Sequence, residues 1–168
     1  LNKINNSFFI FLTDNKLTRN NLLKAIKNFN IDQSRVKFLN NIKNEDHLAR
    51  HQIIDLYLDT FNYNGHTSAI DALYSNIPVI SKIGNSFTAR VCASILKACG
   101  LDELVCETEN QYYELAYDLA KNKEKFTQLK SKLKKNIIML SLFDTAKYVE
   151  GLEKGLTKAY EKKCNQDL

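Results

Sequence analysis

Short, almost purely apolar runs alternate along this chain with stretches of helical periodicity. Phe8 to Leu12 precedes Asn20 to Phe29, Val36 to Leu39 precedes Glu45 to Gln52, and Ile53 to Leu58 precedes Thr67 to Tyr74. The alternation continues with Pro78 to Ser81 as a strand, Ser86 to Ala98 as a helix, Leu104 to Cys106 as a short strand, and helices from Gln111 onward. A strand apolar on both faces needs cover on both, which a parallel sheet between two layers of helices supplies. The pattern therefore predicts an α/β fold, a Rossmann-like parallel sheet flanked by helices and joined by right-handed crossovers. Ligands of such sheets collect at the carboxyl ends of the strands. The loops that follow strands, Asn40 to His47, Asp59 to Ser68 and Lys82 to Ser86, are expected to converge there.

From about Asn110 the chain turns helical and charged, with a lysine-rich stretch from Lys121 to Lys135. Phe126, Leu129 and Leu133 recur at helical spacing, so the stretch reads as a packing helix with a solvated lysine face. A membrane-surface role for those lysines is the competing reading, although packing already accounts for the apolar side. One proline, five glycines and no low-complexity linker give no domain boundary, so residues 1–168 are expected to form a single unit. Because the sequence begins at Leu1 without a methionine, that unit is expected to be incomplete.

Composition narrows the function. With 44% hydrophobic residues the chain can bury a core, and its net charge of +5 is spread along the sequence. There is no dense basic stripe, no aromatic and basic interleaving and no recognised motif, so no nucleic acid partner is expected. Phe8 to Leu12 is far too short to cross a bilayer, and no membrane partner is expected either. Cys92, Cys99, Cys106 and Cys164 form no CxxC pair and lack the spacing of a zinc site. They read as buried thiols of a reducing, cytoplasmic compartment.

The chemistry concentrates in DTFNYNGHTSAID, Asp59 to Asp71. Here an apolar strand runs through a turn at Asn62 to Gly65 into a helix opened by His66, Thr67 and Ser68. The free N–H groups and positive dipole end of a helix start favour phosphate, and small hydroxyl residues let it approach closely. Asp71 stands four residues after Thr67 and three after Ser68, on the same face one turn further in, where a carboxylate can accept from a sugar diol. Plain capping by Thr and Ser explains the triplet equally well, and both readings stay open.

A second cluster, NEDHLARHQ, sets His47, Arg50 and His51 on one helical face. Imidazole and guanidinium suit a nucleobase, while an exposed polar helix is the bland alternative. The HxxxH pair lacks a third ligand and the glutamate of a zinc helix, so no metal site is assigned. In KIGNSFTAR, Lys82 to Arg90, Gly84 permits a turn, Ser86 can cap a helix, and Arg90 points to a phosphate or pairs with a carboxylate. Asp55 and Asp59 are too far apart for the Asp-x-Asp pair of metal-dependent sugar transferases, and no cofactor is required.

Taken together, EDHLAR, the run IIDLYLDTFNYNGHTSAIDALYSNIPVISKIGNSFTARVCASILKACGLDELV, and SLFDTAKYVEGLEKGLTKAY resemble the protein O-linked N-acetylglucosamine transferases, in order and spacing from about Val36 to Tyr160. The resemblance implies the C-terminal, donor-binding half of a GT-B glycosyltransferase that inverts configuration and transfers N-acetylglucosamine from UDP to Ser or Thr of proteins. By position, His47 and Arg50 would contact the uracil with backbone groups of Ile42, Asp71 would hold the ribose, and Thr67 and Ser68 the diphosphate. His66, the catalytic candidate, would lie against phosphate or sugar. A UDP-sugar donor and a protein acceptor are the implied partners, with an N-terminal catalytic half and tetratricopeptide repeats elsewhere in the protein. Two departures stand out. Asn44 replaces a lysine of animal relatives, with Lys43 adjacent, and the family's catalytic lysine belongs upstream of Leu1, so this chain alone is expected to be inactive. The alternatives are a non-catalytic nucleotide-sugar or partner-binding module, and a relative using GDP-fucose or UDP-glucose.

Overall fold

The computed structural model describes residues 1–139 and 141–165. Five parallel strands alternate with helices: β1 (Phe9–Leu12), α1 (Lys16–Asn28), β2 (Val36–Leu39), α2 (Asn44–Arg50), β3 (Tyr57–Leu58), α3 (Thr67–Tyr74), β4 (Val79–Lys82), α4 (Val91–Ala98), β5 (Val105–Cys106), α5 (Glu109–Lys121), α6 (Lys123–Met139) and α7 (Thr145–Cys164). The expected α/β order is present, in two ladders that are not hydrogen-bonded to each other. β1 pairs with β2, and β3, β4 and β5 pair in that order.

Burial follows the apolar runs unevenly. β4 lies in the middle of its ladder, and Val79, Ile80 and Ser81 are fully buried. Around it pack Ala72 and Leu73 of α3, Cys92 and Leu96 of α4, and Leu129 and Leu133 of α6, so one core joins both helical layers. The lysine-rich segment thus uses Phe126, Leu129 and Leu133 for packing, as its spacing predicts. Cys92, Cys99 and Cys106 are buried free thiols, and burial pushes each of them up from the ordinary thiol value. Cys164 is exposed. Asn76 and Gly100 follow α3 and α4 in the left-handed backbone region that helix ends favour.

Several element boundaries depart from the sequence expectation. Ile53 to Leu58 contributes only Tyr57 and Leu58 to a ladder, because residues 51–53 make a 3-10 turn closed by Ile54 N–H on the His51 carbonyl. The helix placed at Glu45 to Gln52 therefore ends at Arg50. The helix placed at Ser86 to Ala98 begins only at Val91. Ala89 N–H bonds to Ser86 and Arg90 N–H to Phe87, which uses residues 86–90 in successive turns. The first helix starts earlier than Asn20, at Lys16, with Asn15 capping it through Thr18 N–H at 3.0 Å.

Candidate functional site: a helix start between two loops

The site is built on β3, whose last turn delivers the chain into α3. Thr67 and Ser68 open α3 and are exposed, and no side chain caps the helix. Its first intrahelical bond runs from Ile70 N–H to the His66 carbonyl at 3.2 Å. The N–H groups of Thr67, Ser68 and Ala69 precede that ladder, which is the arrangement that attracts an anion. Ser68 Oγ shares a 3.0 Å hydrogen bond with Tyr57 Oη. Of the two readings of this triplet, self-capping by its own hydroxyls is not what the structure adopts.

The preceding loop is held rigidly. Asp59 is 3% exposed; its Oδ1 accepts from Gly65 N–H at 2.6 Å and its Oδ2 from Ser81 Oγ at 2.5 Å. Its carbonyl accepts from Tyr112 Oη at 2.9 Å. Buried Asn64 donates through Nδ2 to the Thr60 carbonyl at 2.7 Å and through its backbone N–H to the Thr88 carbonyl at 3.0 Å. Thr88 Oγ1 in turn donates to the Asn62 carbonyl at 3.1 Å, so the loops after β3 and β4 are stitched together. Gly65 has no room for a side chain: a Cβ would lie 2.7 Å from Tyr57 Oη and 2.9 Å from Ser68 Oγ.

His66 lies at the mouth of this loop. Its ring stacks on Tyr63 with centroids 5.0 Å apart and meets the edge of exposed Phe87 at 6.4 Å. Its Nε2 is buried and has no hydrogen-bond partner among the described residues. Arg90 forms no ion pair among the described residues; its Nη1 donates to the Gly84 carbonyl of its own loop at 3.2 Å. Lys82 sits over the Phe61 ring at 4.7 Å, with Glu109 3.8 Å away.

The second cluster meets the first. Arg50 donates through Nε and Nη2 to His47 Nδ1, at 3.0 and 2.6 Å, and through Nη1 to the Asn40 carbonyl at 2.8 Å. A guanidinium has no acceptor, so His47 Nδ1 carries no proton and the neutral ring bears its hydrogen on Nε2. Burial lowers the His47 pKa most, the Arg50 and His51 charges lower it further, and the Asp71 carboxylate of α3 is near enough to oppose them. His51, expected on the same ligand face, is instead buried, edge-on to His47 at 4.6 Å. Ile42 is 47% exposed in the loop before α2.

The structure thus pairs His47 with Arg50 on α2, and places His66, Thr67 and Ser68 at the start of α3 with Asp71 one turn further in. The residues that sequence reasoning left out are those that shape the loop, Asn64, Tyr57 and the Tyr63 and Phe87 rings. Only the turn at Asn62 to Gly65 hinted at them. Among the described residues no three of His, Cys, Asp or Glu are grouped to hold a metal, and no helix is long and apolar enough to cross a membrane.

Comparisons with known proteins show the family and the fold. A probable UDP-N-acetylglucosamine-peptide N-acetylglucosaminyltransferase SPINDLY of Hordeum vulgare is 30% identical over 150 residues, covering 89% of this chain and 16% of its own length. The UDP-N-acetylglucosamine-peptide N-acetylglucosaminyltransferase of Caenorhabditis elegans is 32% identical over 123 residues, covering 73% of this chain and 11% of its own. The chain therefore spans about a sixth or less of the length of these relatives. A mutant of the Thermobaculum terrenum O-GlcNAc transferase superposes with a TM-score of 0.89 at 24% identity, over 96% of this chain and 32% of its own, which establishes the fold as that of a GT-B enzyme. The model of glycosyl transferase family 41 matches residues 1–152, and the chain belongs to that family.

Proposed function

We propose that this domain is the donor-binding half of an inverting glycosyltransferase that moves N-acetylglucosamine from UDP to Ser or Thr of a protein acceptor. One observation carries the reading: the start of α3 is uncapped, with Thr67 and Ser68 exposed on it and Asp71, whose charge is felt at His47, one turn further in. A diphosphate at that start would take the N–H groups of Thr67, Ser68 and Ala69 and the two hydroxyls. Asp71, one turn below, would accept from the ribose diol. His47, with its proton on Nε2, and Arg50 would face the uracil beside the backbone of Ile42.

In this role the helix start works on the leaving group. As the bond from the anomeric carbon to the β-phosphate oxygen breaks, charge grows on the diphosphate, and fixed N–H dipoles stabilise it without reorganising. The acceptor hydroxyl attacks the anomeric carbon from the opposite face, configuration inverts, and the hydroxyl proton leaves to a base or to water, so that the products are the glycoside and UDP. His66, against phosphate or sugar, would donate or hold a proton there. The lysine that neutralises the leaving diphosphate would come from another part of the protein, so the reading assigns donor binding, not turnover, to residues 1–168.

Calorimetry with UDP tests it. Asp71→Ala and His47→Ala are each expected to weaken UDP at least about tenfold, the cost of losing one hydrogen bond to a charged or desolvated partner. Unchanged affinity in both variants sinks the reading. The family's relatives named for N-acetylglucosamine transfer favour that sugar over GDP-fucose or UDP-glucose.

A further inference from the structure

Asp59 is a buried acid that donor binding as proposed does not use. It ends β3 without an ion pair among the described residues, and both its oxygens are taken by neutral donors. Burying a carboxylate in this way is costly unless its hydrogen bonds repay it. The bonds it makes are informative. One goes across the ladder to Ser81 of β4, and the other reaches over the whole loop to Gly65, the residue just before His66. Asp59 thus ties Gly65, two residues before α3, directly to the centre of the sheet.

The structure assigns Asp59 as the positioning residue for the anion site: its carboxylate, anchored by Ser81, sets the Gly65 peptide and so aims His66 and the first N–H groups of α3. Three further observations fit. A Cβ on Gly65 would lie 2.7 Å from Tyr57 Oη and 2.9 Å from Ser68 Oγ, so the peptide that Asp59 holds runs close beneath the hydroxyl pair of the α3 start. The Tyr112 hydroxyl holds the Asp59 carbonyl from α5, fixing the carboxylate's own backbone. The Asn64 N–H bond to the Thr88 carbonyl ties the residue beside Gly65 to the loop that follows β4. Asp59 touches no ligand in this scheme, because the groups that would meet a diphosphate lie beyond Gly65.

The assignment rests on the diphosphate reading of the α3 start, and two measurements separate their fates. In the ligand-free protein, Gly65 amide exchange is followed by NMR in the wild type, Asp59→Asn and Ser81→Ala, with the β4 amides as the internal measure of intact fold. Gly65 is expected to lose protection at least about tenfold in Asp59→Asn, and less in Ser81→Ala, while β4 is unmoved. Calorimetry then compares UDP with uridine. A positioning role predicts that Asp59→Asn weakens UDP about tenfold and leaves uridine unchanged, since only the phosphates use the displaced groups. A merely structural role would weaken both together. Unchanged Gly65 exchange, or parallel loss of UDP and uridine, overturns the assignment. A wild type that binds uridine and UDP equally removes the diphosphate reading itself, and with it what Asp59 is said to position.

Discussion

Arg50 holds the imidazole of His47 by Nδ1 and, with its remaining amino group, the carbonyl of Asn40 at the end of β2. One guanidinium therefore fixes the tautomer of a ring and the position of the loop that contains Ile42. The expected outcome is a single His47 tautomer protonated at Nε2, seen as an imidazole 15N pattern with an unprotonated Nδ1. Arg50→Ala should mix the two tautomers. A wild-type ring protonated at Nδ1 would contradict the geometry.

The same contacts make acid destabilising. Burial, Arg50 and His51 hold the His47 pKa below the ordinary histidine value of the unfolded chain, against a smaller pull from Asp71. Between those two values the unfolded state binds the extra proton, so stability increases with pH across that window. The contribution is complete above the unfolded value and is lost as pH falls through the folded one. Thermal denaturation at pH 5 and pH 7 should show a larger acid loss for the wild type than for His47→Gln; equal losses would place the effect elsewhere.

The order of elements was legible because apolar runs such as Pro78 to Ser81 have no polar face to confuse their period, and β4 is buried as that implies. Thr67 to Tyr74 was legible to the residue, since Gly65 and the hydroxyl pair mark the start and Asn76 the stop. What misled was backbone turn chemistry that leaves no compositional trace. Ile53 looks like a strand residue but is 68% exposed in a turn, and Phe87, apolar enough to belong inside a helix, is 80% exposed beside His66. In the site, helical spacing put His47 with Arg50 and Thr67 with Asp71. It did not reveal that Arg50 spends its fork on His47, or that Asp59 reaches Gly65 and Ser81, because those partners meet only in three dimensions.

The C-terminal helices divide sharply in what they contribute. Leu133 of α6 is fully buried in the main core, whereas Leu152 and Leu156 of α7 are 48% and 62% exposed. Leu133→Ala should cost about 2–5 kcal/mol in unfolding free energy, and Leu152→Ala about 0.5 kcal/mol or less. Urea denaturation of the two variants measures the contrast. Similar losses would mean that α7 is packed where the structure leaves it open.

The ladder bonds show which edges are unpaired. Thr13 N–H bonds to the Leu39 carbonyl, so alternate residues Phe9 and Phe11 also face β2, and Ile10 and Leu12 face away. Tyr57 N–H bonds to Pro78 and Asp59 N–H to Ile80, so on β3 it is Leu56 and Leu58 that face away from β4. Phe9, Ile10 and Phe11 are only half-buried, although strands this apolar belong in a covered sheet. Such edges are templates for another strand. Hydrogen exchange at low protein concentration should find the amides of Ile10, Leu12, Leu56 and Leu58 unprotected while Phe11, Thr13, Tyr57 and Asp59 exchange slowly. Protection of the first set that grows with concentration would show the edges pairing between copies. Protection at every concentration would refute the ladder assignment, in which these edges bond to no strand among the described residues.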